Sequence, residues 1–198
     1  MKKAFKQINR GAVMLLVLVM GMSIYCIIQS GIDKKTHAEL RDIATEFIAD
    51  SANRVIIPEA MRSSDGSDAT AISGLSENYR TVGSGSWSRF YSDNIQIRQF
   101  ASEWFETALQ VQYGMNTYIL SSEPKIDEFG RFRTYRDEAT LDFTVTDTRR
   151  ILMPNGEETL SILSFPESLS FIRENDRWVI VQYSTPRLAG SLSGYSAE

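Results

Sequence analysis

Residues 11–30, GAVMLLVLVMGMSIYCIIQS, contain no charged side chain and are dominated by Val, Leu, Met and Ile. Twenty residues at a helical rise of about 1.5 Å span roughly 30 Å, the thickness of a bilayer's hydrocarbon core. Such a run is expected to form a transmembrane helix, because a helix satisfies its own backbone groups where water is absent. Lys2, Lys3, Lys6 and Arg10 precede it, and the first acid is Asp33. Positive charge is retained on the cytoplasmic side, so the expected topology is a cytoplasmic tail at 1–10 with residues 31–198 outside. A cleaved signal peptide is the rival reading, but its apolar region is typically about 7–15 residues and ends at a small-x-small site. The run here is longer, and Tyr25 and the isoleucines after Cys26 offer no such site.

Cys26 is the only cysteine, which excludes an internal disulfide and a cysteine-based zinc cluster. Of the 21 Lys and Arg, four precede the run, leaving 17 against all 25 acids, a net of −8 outside the span. That balance argues against nucleic acid as a direct partner, since phosphate contacts need clustered positive charge.

Beyond the span the helical period returns over 36–57. Leu40, Ile43, Ala44, Phe47 and Ile48 fall on one face, Thr36 and Glu39 are placed for a capping box, and Pro58 marks the end. Residues 63–86 hold 11 Gly or Ser in 24 positions and are expected to be a flexible loop. A second helix follows, capped by Ser92 or Asp93. Ile97, Phe100, Ala101, Trp104, Ala108 and Val111 line one face, Phe105 and Leu109 widen it, and Gly114 stands at the C-cap.

From Met115 the period changes to 2. The pattern predicts a strand over 117–126, a turn at Asp127-Glu128-Phe129-Gly130, and a long strand over 131–150. Pro154-Asn155-Gly156 predicts a hairpin, 157–173 a third strand and 177–184 a fourth after a turn at Asn175-Asp176. In the third strand the apolar parity slips beside Pro166, from Leu160 and Ile162 to Leu163 and Phe165. The slip implies either a bulge or an edge position. The tail at 188–198 is expected to be loose.

Helices first and a run of antiparallel strands after indicate an α+β domain over 31–187, with helices packed on a curved four-stranded antiparallel sheet. The helix FASEWFETAL at 100–109, the alternating strand ATLDFTVTD at 139–147 and the closing RWVIVQYS resemble the NTF2-like fold. With a short basic N-terminus and one span in front, the chain resembles the VirB8-type proteins of type IV secretion and conjugation machines. That resemblance implies a non-enzymatic assembly component, docked on other membrane-complex subunits and on copies of itself, in the bacterial plasma (inner) membrane.

The residues themselves offer little chemistry. His37, the only histidine, lies near the span, where a solvated interface residue is the ordinary case. No nucleophile elbow, Ser-x-x-Lys pattern or phosphate-binding glycine motif is present. Glu103 and Glu106 share a helix face that is expected to meet solvent, and Asp142 has outward parity. No enzyme activity, cofactor or metal is expected. Two candidate surfaces remain. Arg131, Arg133, Arg136, Arg149 and Arg150, at the two ends of the long strand, are candidate partner contacts, or charges that protect a sheet edge. Trp104, Tyr118, Phe143, Phe171 and Trp178 are candidate lining for a cone, as core or around a small apolar ligand. A tethered ligand-binding module and a sporulation or cell-envelope subunit are the alternative roles.

Overall fold

The computed structural model describes residues 10–62, 74 and 89–184. Helices α1 (Arg10–Arg54) and α2 (Ile95–Met115) and a 3-10 turn at Glu59–Met61 precede, among the described residues, four strands. These are β1 (Tyr118–Tyr135), β2 (Glu138–Leu152), β3 (Glu158–Glu174) and β4 (Arg177–Ser184), antiparallel neighbours in the order 1-2-3-4. The expected α+β class and four-stranded antiparallel sheet are therefore present. The flexible-loop expectation for 63–86 and the loose tail at 188–198 lie outside the described residues.

The chain divides into two units, Met1–Glu39 and Leu40–Glu198. In the first, the large apolar side chains from Met14 to Tyr25 are all more than half exposed. Among the described residues no helix is long and apolar enough to cross a membrane. The described side chains of the apolar run are those of 14–26, about 20 Å of helix. Those of 11–13 and 27–30 lie outside the described ones. Thr36 caps nothing, because α1 already contains it. The residues before it, Gly31-Ile-Asp-Lys-Lys, include no proline that would interrupt a helix.

In the second unit the expected stripe is found: Leu40, Ala44, Phe47 and Ile48 are buried and Ile43 is half-buried. Phe47 is the hub. Phe90, Tyr91 and Tyr183 each meet it edge-on, with centroids at 5.7, 5.6 and 4.8 Å. Edge-to-face contact sets the positive rim of one ring against the negative face of another.

Burial removes Tyr91 from water and, ahead of the field of Tyr183, pushes its phenol well above the usual tyrosine value of 10.0. Arg54 opposes that shift and Asp50 adds to it. A raised folded value means that the fold favours the neutral phenol. Its contribution is whole below pH ~10 and is lost as pH rises through the folded value. The Tyr91→Phe variant should therefore lose less stability than the parent between pH ~9 and ~11. Equal losses in denaturant titrations at the two pH values would refute this.

Helix α2 is capped by Asn94, whose Oδ1 accepts the Gln96 N–H at 2.9 Å, not by Ser92 or Asp93. Both expected residues are engaged elsewhere, since Ser92 Oγ donates to Glu174 at 2.6 Å and Asp93 pairs with Arg98. Its C-cap is Asn116, left-handed at φ 48°, two residues beyond Gly114. Phe105, Ala108, Leu109, Gln112 and Tyr113 are buried, while Ile97 and Val111 are half-buried. Ala108 of the expected stripe is thus buried together with Phe105 and Leu109, the two residues expected to widen it. The side chains of Phe100, Ala101 and Trp104 lie outside the described ones. Gln112 ties three elements together: its Nε2 donates to Val55 O at 2.7 Å and its Oε1 accepts the Ile119 N–H at 2.9 Å.

The expected turn at 127–130 is instead part of β1, which runs on to Tyr135. Register shifts against β2 at Ile126/Glu128 and Phe129/Phe132 absorb these residues as irregularities that bend the strand. A Cβ at Gly130 would stand 3.3 Å from the Asp142 carbonyl oxygen, a tight contact. The turn falls at Arg136-Asp137, with Arg136 at φ 54°. The hairpins at Asn155-Gly156 and Asn175-Asp176 form as expected, with Gly156 at φ 84° and the Asn-Asp pair at 51° and 60°.

β2 buries Ala139, Leu141, Phe143 and Val145 as its parity predicts, and then Asp147, Arg149 and Ile151. Its register with β3 is unbroken from Glu138↔Ile172 to Leu152↔Glu158, so no bulge lies at Pro166 on that side. Among the described residues the β4 ladder reaches only to Ser168↔Ser184, so Pro166 stands at an edge there, and Leu160 and Ile162 face outward.

Candidate functional site

Two polar features stand out on the sheet, one on each face. On the inner face, Asp147 and Arg149 are two residues apart on β2 and so point the same way. Arg149 Nε donates to Asp147 Oδ2 at 2.8 Å, with the two side chains 1% and 0% exposed. Ser122 on β1 donates to the same carboxylate, at 2.8 Å to Oδ1 and 3.0 Å to Oδ2. On the other flank Ser161 of β3 pairs with Arg149 in the register and is buried. Its Oγ has no hydrogen-bond partner. A buried ion pair of this kind offsets its own desolvation only through close geometry and added hydrogen bonds, which Ser122 supplies. The carboxylate is committed to a guanidinium and a hydroxyl, and the cluster contains no histidine or cysteine. Its chemistry is that of a polar pin within the core.

On the outer face a cleft of about 410 Å³ is bordered by Glu128, Gly130, Asp142, Thr144, Pro166 and Ser168, among others. Asp142 faces outward as its parity predicts and accepts from Ser168 Oγ at 2.8 Å. Among the described residues no group of three or more His, Cys, Asp or Glu is placed to hold a metal.

The five arginines do not lie at the ends of one strand. Arg131 and Arg133 are exposed on β1 and Arg136 is in the turn after it, whereas Arg149 and Arg150 are at the far end of β2. In the β1–β2 register Arg133 faces Thr140, ten positions from Arg150 and so about 33 Å away at ~3.3 Å per residue. Arg149 is buried against Asp147 and presents no charge to a partner. Arg150 is exposed and paired with Glu158.

Of the cone candidates, Phe143, Phe171 and Trp178 belong to the main core, packed with Phe47, Leu141 and Leu169. Tyr118 belongs to a second cluster with Ile57, Leu109 and Tyr113, edge-on to Tyr113 at 5.8 Å. Trp104 has no described side chain. Of the two glutamates on α2, Glu103 is exposed and Glu106 half-buried.

No family model matches the chain, and no curated protein matches it. Among solved structures, it is similar to a calcium/calmodulin dependent protein kinase II association domain from Xanthomonas campestris. The identity is 15% and the TM-score 0.28, over 42% of this chain and 54% of that one. The chain thus spans about half of that domain's length. It is also similar to the intermembrane space region of the chloroplast protein ARC6. There the identity is 10% and the TM-score 0.31, over 60% of this chain and 95% of that one. Likenesses at these scores carry no weight for fold or function.

Proposed function

We propose that this chain is a non-enzymatic, single-pass membrane component that assembles with other subunits of an envelope-spanning machine. It is anchored by residues 11–30 in the bacterial plasma (inner) membrane, with its tail in the cytoplasm and its α+β domain outside. The finer architecture proposed is NTF2-like. The machine proposed is of the type IV secretion or conjugation kind, on the sequence resemblance to VirB8-type proteins.

The observation that carries the reading is the uncharged run itself. Its large side chains from Met14 to Tyr25 cover no core. The hydroxyl of Ser23 within it donates to the Val19 carbonyl at 2.8 Å, so that polar group is satisfied inside the helix, as a bilayer requires. In support of a structural role, Phe143, Phe171 and Trp178 are packed in the domain's own core. The acidic exterior fits protein partners better than nucleic acid.

Extraction of membranes with alkaline carbonate is expected to leave the full chain in the pellet. A protease added to spheroplasts should remove a C-terminal tag while sparing an N-terminal one. Release into the supernatant, or protection of the C-terminal tag, would overturn the anchor and its orientation. Affinity purification in mild detergent should recover other membrane-complex subunits. Recovery of the chain alone with a bound apolar small molecule would replace the assembly reading with ligand binding.

A further inference from the structure

Among the described residues β3 has an open side. β4 pairs with it only between Ser168 and Glu174, so among the described residues 158–167 have β2 on one flank and no strand on the other. Open edges are ordinarily blunted by charge, proline or a bulge. Residues 159–165, TLSILSF, have no charge and no proline, and no bulge interrupts their pairing with β2. Leu160 and Ile162 are 63% and 62% exposed on the outer face. Ser161 between them faces inward, 5% exposed, with its Oγ unpartnered.

The direction of the backbone groups follows from the two ends of the β2–β3 ladder. The Met153 N–H donates to Glu157 O at 2.9 Å and the Arg173 N–H to Asp137 O at 2.8 Å. Stepping by two from either end, the odd-numbered residues of β3 bond to β2. Glu158, Leu160, Ile162 and Ser164 therefore turn their N–H and C=O to the open side. Pro166 has the same parity, so its missing N–H falls on that side. Two positions past Ser168↔Ser184, the register would set Pro186 opposite Pro166. A ladder continued into the chain's own C-terminal residues would lose both bonds of that pair.

We propose that this edge pairs with the same edge of a second copy, antiparallel, about a two-fold axis at Ser161. Leu160 then stands opposite the partner's Ile162 in a hydrogen-bonded pair, and Ile162 opposite the partner's Leu160, so each exposed side chain gains an apolar neighbour. Ser161 faces the partner's Ser161 in a non-hydrogen-bonded pair, where opposing side chains come closest, and the two hydroxyls satisfy one another. Glu158 lies opposite the partner's Ser164, so no like charges meet. The pairing closes with about eight backbone hydrogen bonds. Neighbouring registers fit worse. A shift one way sets Ile162 against the partner's Glu158, and a shift the other way sets Glu158 against the partner's Pro166. The pairing deepens the self-association in the proposed function and rests on that part of it alone.

The test is disulfide trapping in the full chain, in membranes, on a Cys26→Ala background. Opposed positions of a non-hydrogen-bonded pair lie about 4.5 Å apart at Cα, within disulfide reach. Ser161→Cys should give a covalent dimer under mild oxidation. Ser164→Cys should not, because its symmetry mate lies about 20 Å along the strand. Adding Leu160→Lys to the Ser161→Cys chain should reduce trapping at least ~tenfold, by placing a charge in the apolar pair. Failure of Ser161→Cys to cross-link, equal cross-linking at 164, or indifference to Leu160→Lys would overturn the pairing. A chain that resists carbonate extraction and still fails to cross-link would overturn the edge pairing and leave the anchor standing.

Discussion

Replacing Arg149 with methionine is expected to cost the domain about 3–5 kcal/mol. The guanidinium is the charged partner of Asp147 in a site where both side chains are essentially inaccessible. Without it the carboxylate keeps the Ser122 hydrogen bonds but loses its charged partner in the core. Removing the pair together should be milder. In the Asp147→Leu, Arg149→Met double variant neither member of the pair is left without the other, and packed apolar side chains of similar size often equal or exceed a buried ion pair. The double variant should therefore be more stable than Arg149→Met alone. Denaturant unfolding of the full chain in mild detergent measures this, with the fluorescence of buried Trp178 as reporter. A cost of less than ~1 kcal/mol for Arg149→Met would place the pair in contact with solvent.

The parity that exposes this pair was already in the sequence. Alternation from Ala139 through Val145, continued two and four residues further, turns Asp147 and Arg149 to the core. Charge alone suggests a surface, and that intuition put Arg149 among candidate partner contacts. Hairpins with left-handed residues of small side-chain cost were legible, hence Asn155-Gly156 and Asn175-Asp176. The Arg136-Asp137 turn was not, because its first residue adopts positive φ without the glycine or asparagine that normally marks it. Asp127 to Gly130 has the composition of a turn, yet it lies within β1 at its register shifts against β2, which pairing between strands decides. The edge at 158–165 announced itself as a parity slip, but sequence could not separate a bulge from outward-facing leucine and isoleucine. That distinction depended on the unbroken register with β2. The cap of α2 followed from a long-range bond, since Ser92 is drawn away by Glu174, 82 residues later.

Phe47→Ala is expected to destabilise the domain by about 3–5 kcal/mol, the range for emptying a large aromatic site in a close-packed core. The side chain is 2% exposed and contacts rings from two parts of the chain, Phe90 and Tyr91 before α2 and Tyr183 on β4. Each edge-on pair contributes roughly 0.5–1.5 kcal/mol beyond area burial, and all three share this one ring. Neighbours can relax only in part, because Tyr183 is itself held through its hydroxyl, which donates to buried Glu167 at 2.9 Å. Phe47→Leu should lose less, since it retains much of the volume while giving up the ring contacts. Ile95→Ala, at a residue 78% exposed, should change stability by less than ~0.5 kcal/mol. The ordering of the three variants is what tests the packing argument. If Phe47→Ala and Ile95→Ala unfolded at the same denaturant concentration, α1 from Leu40 onward would not be packed on the sheet through Phe47.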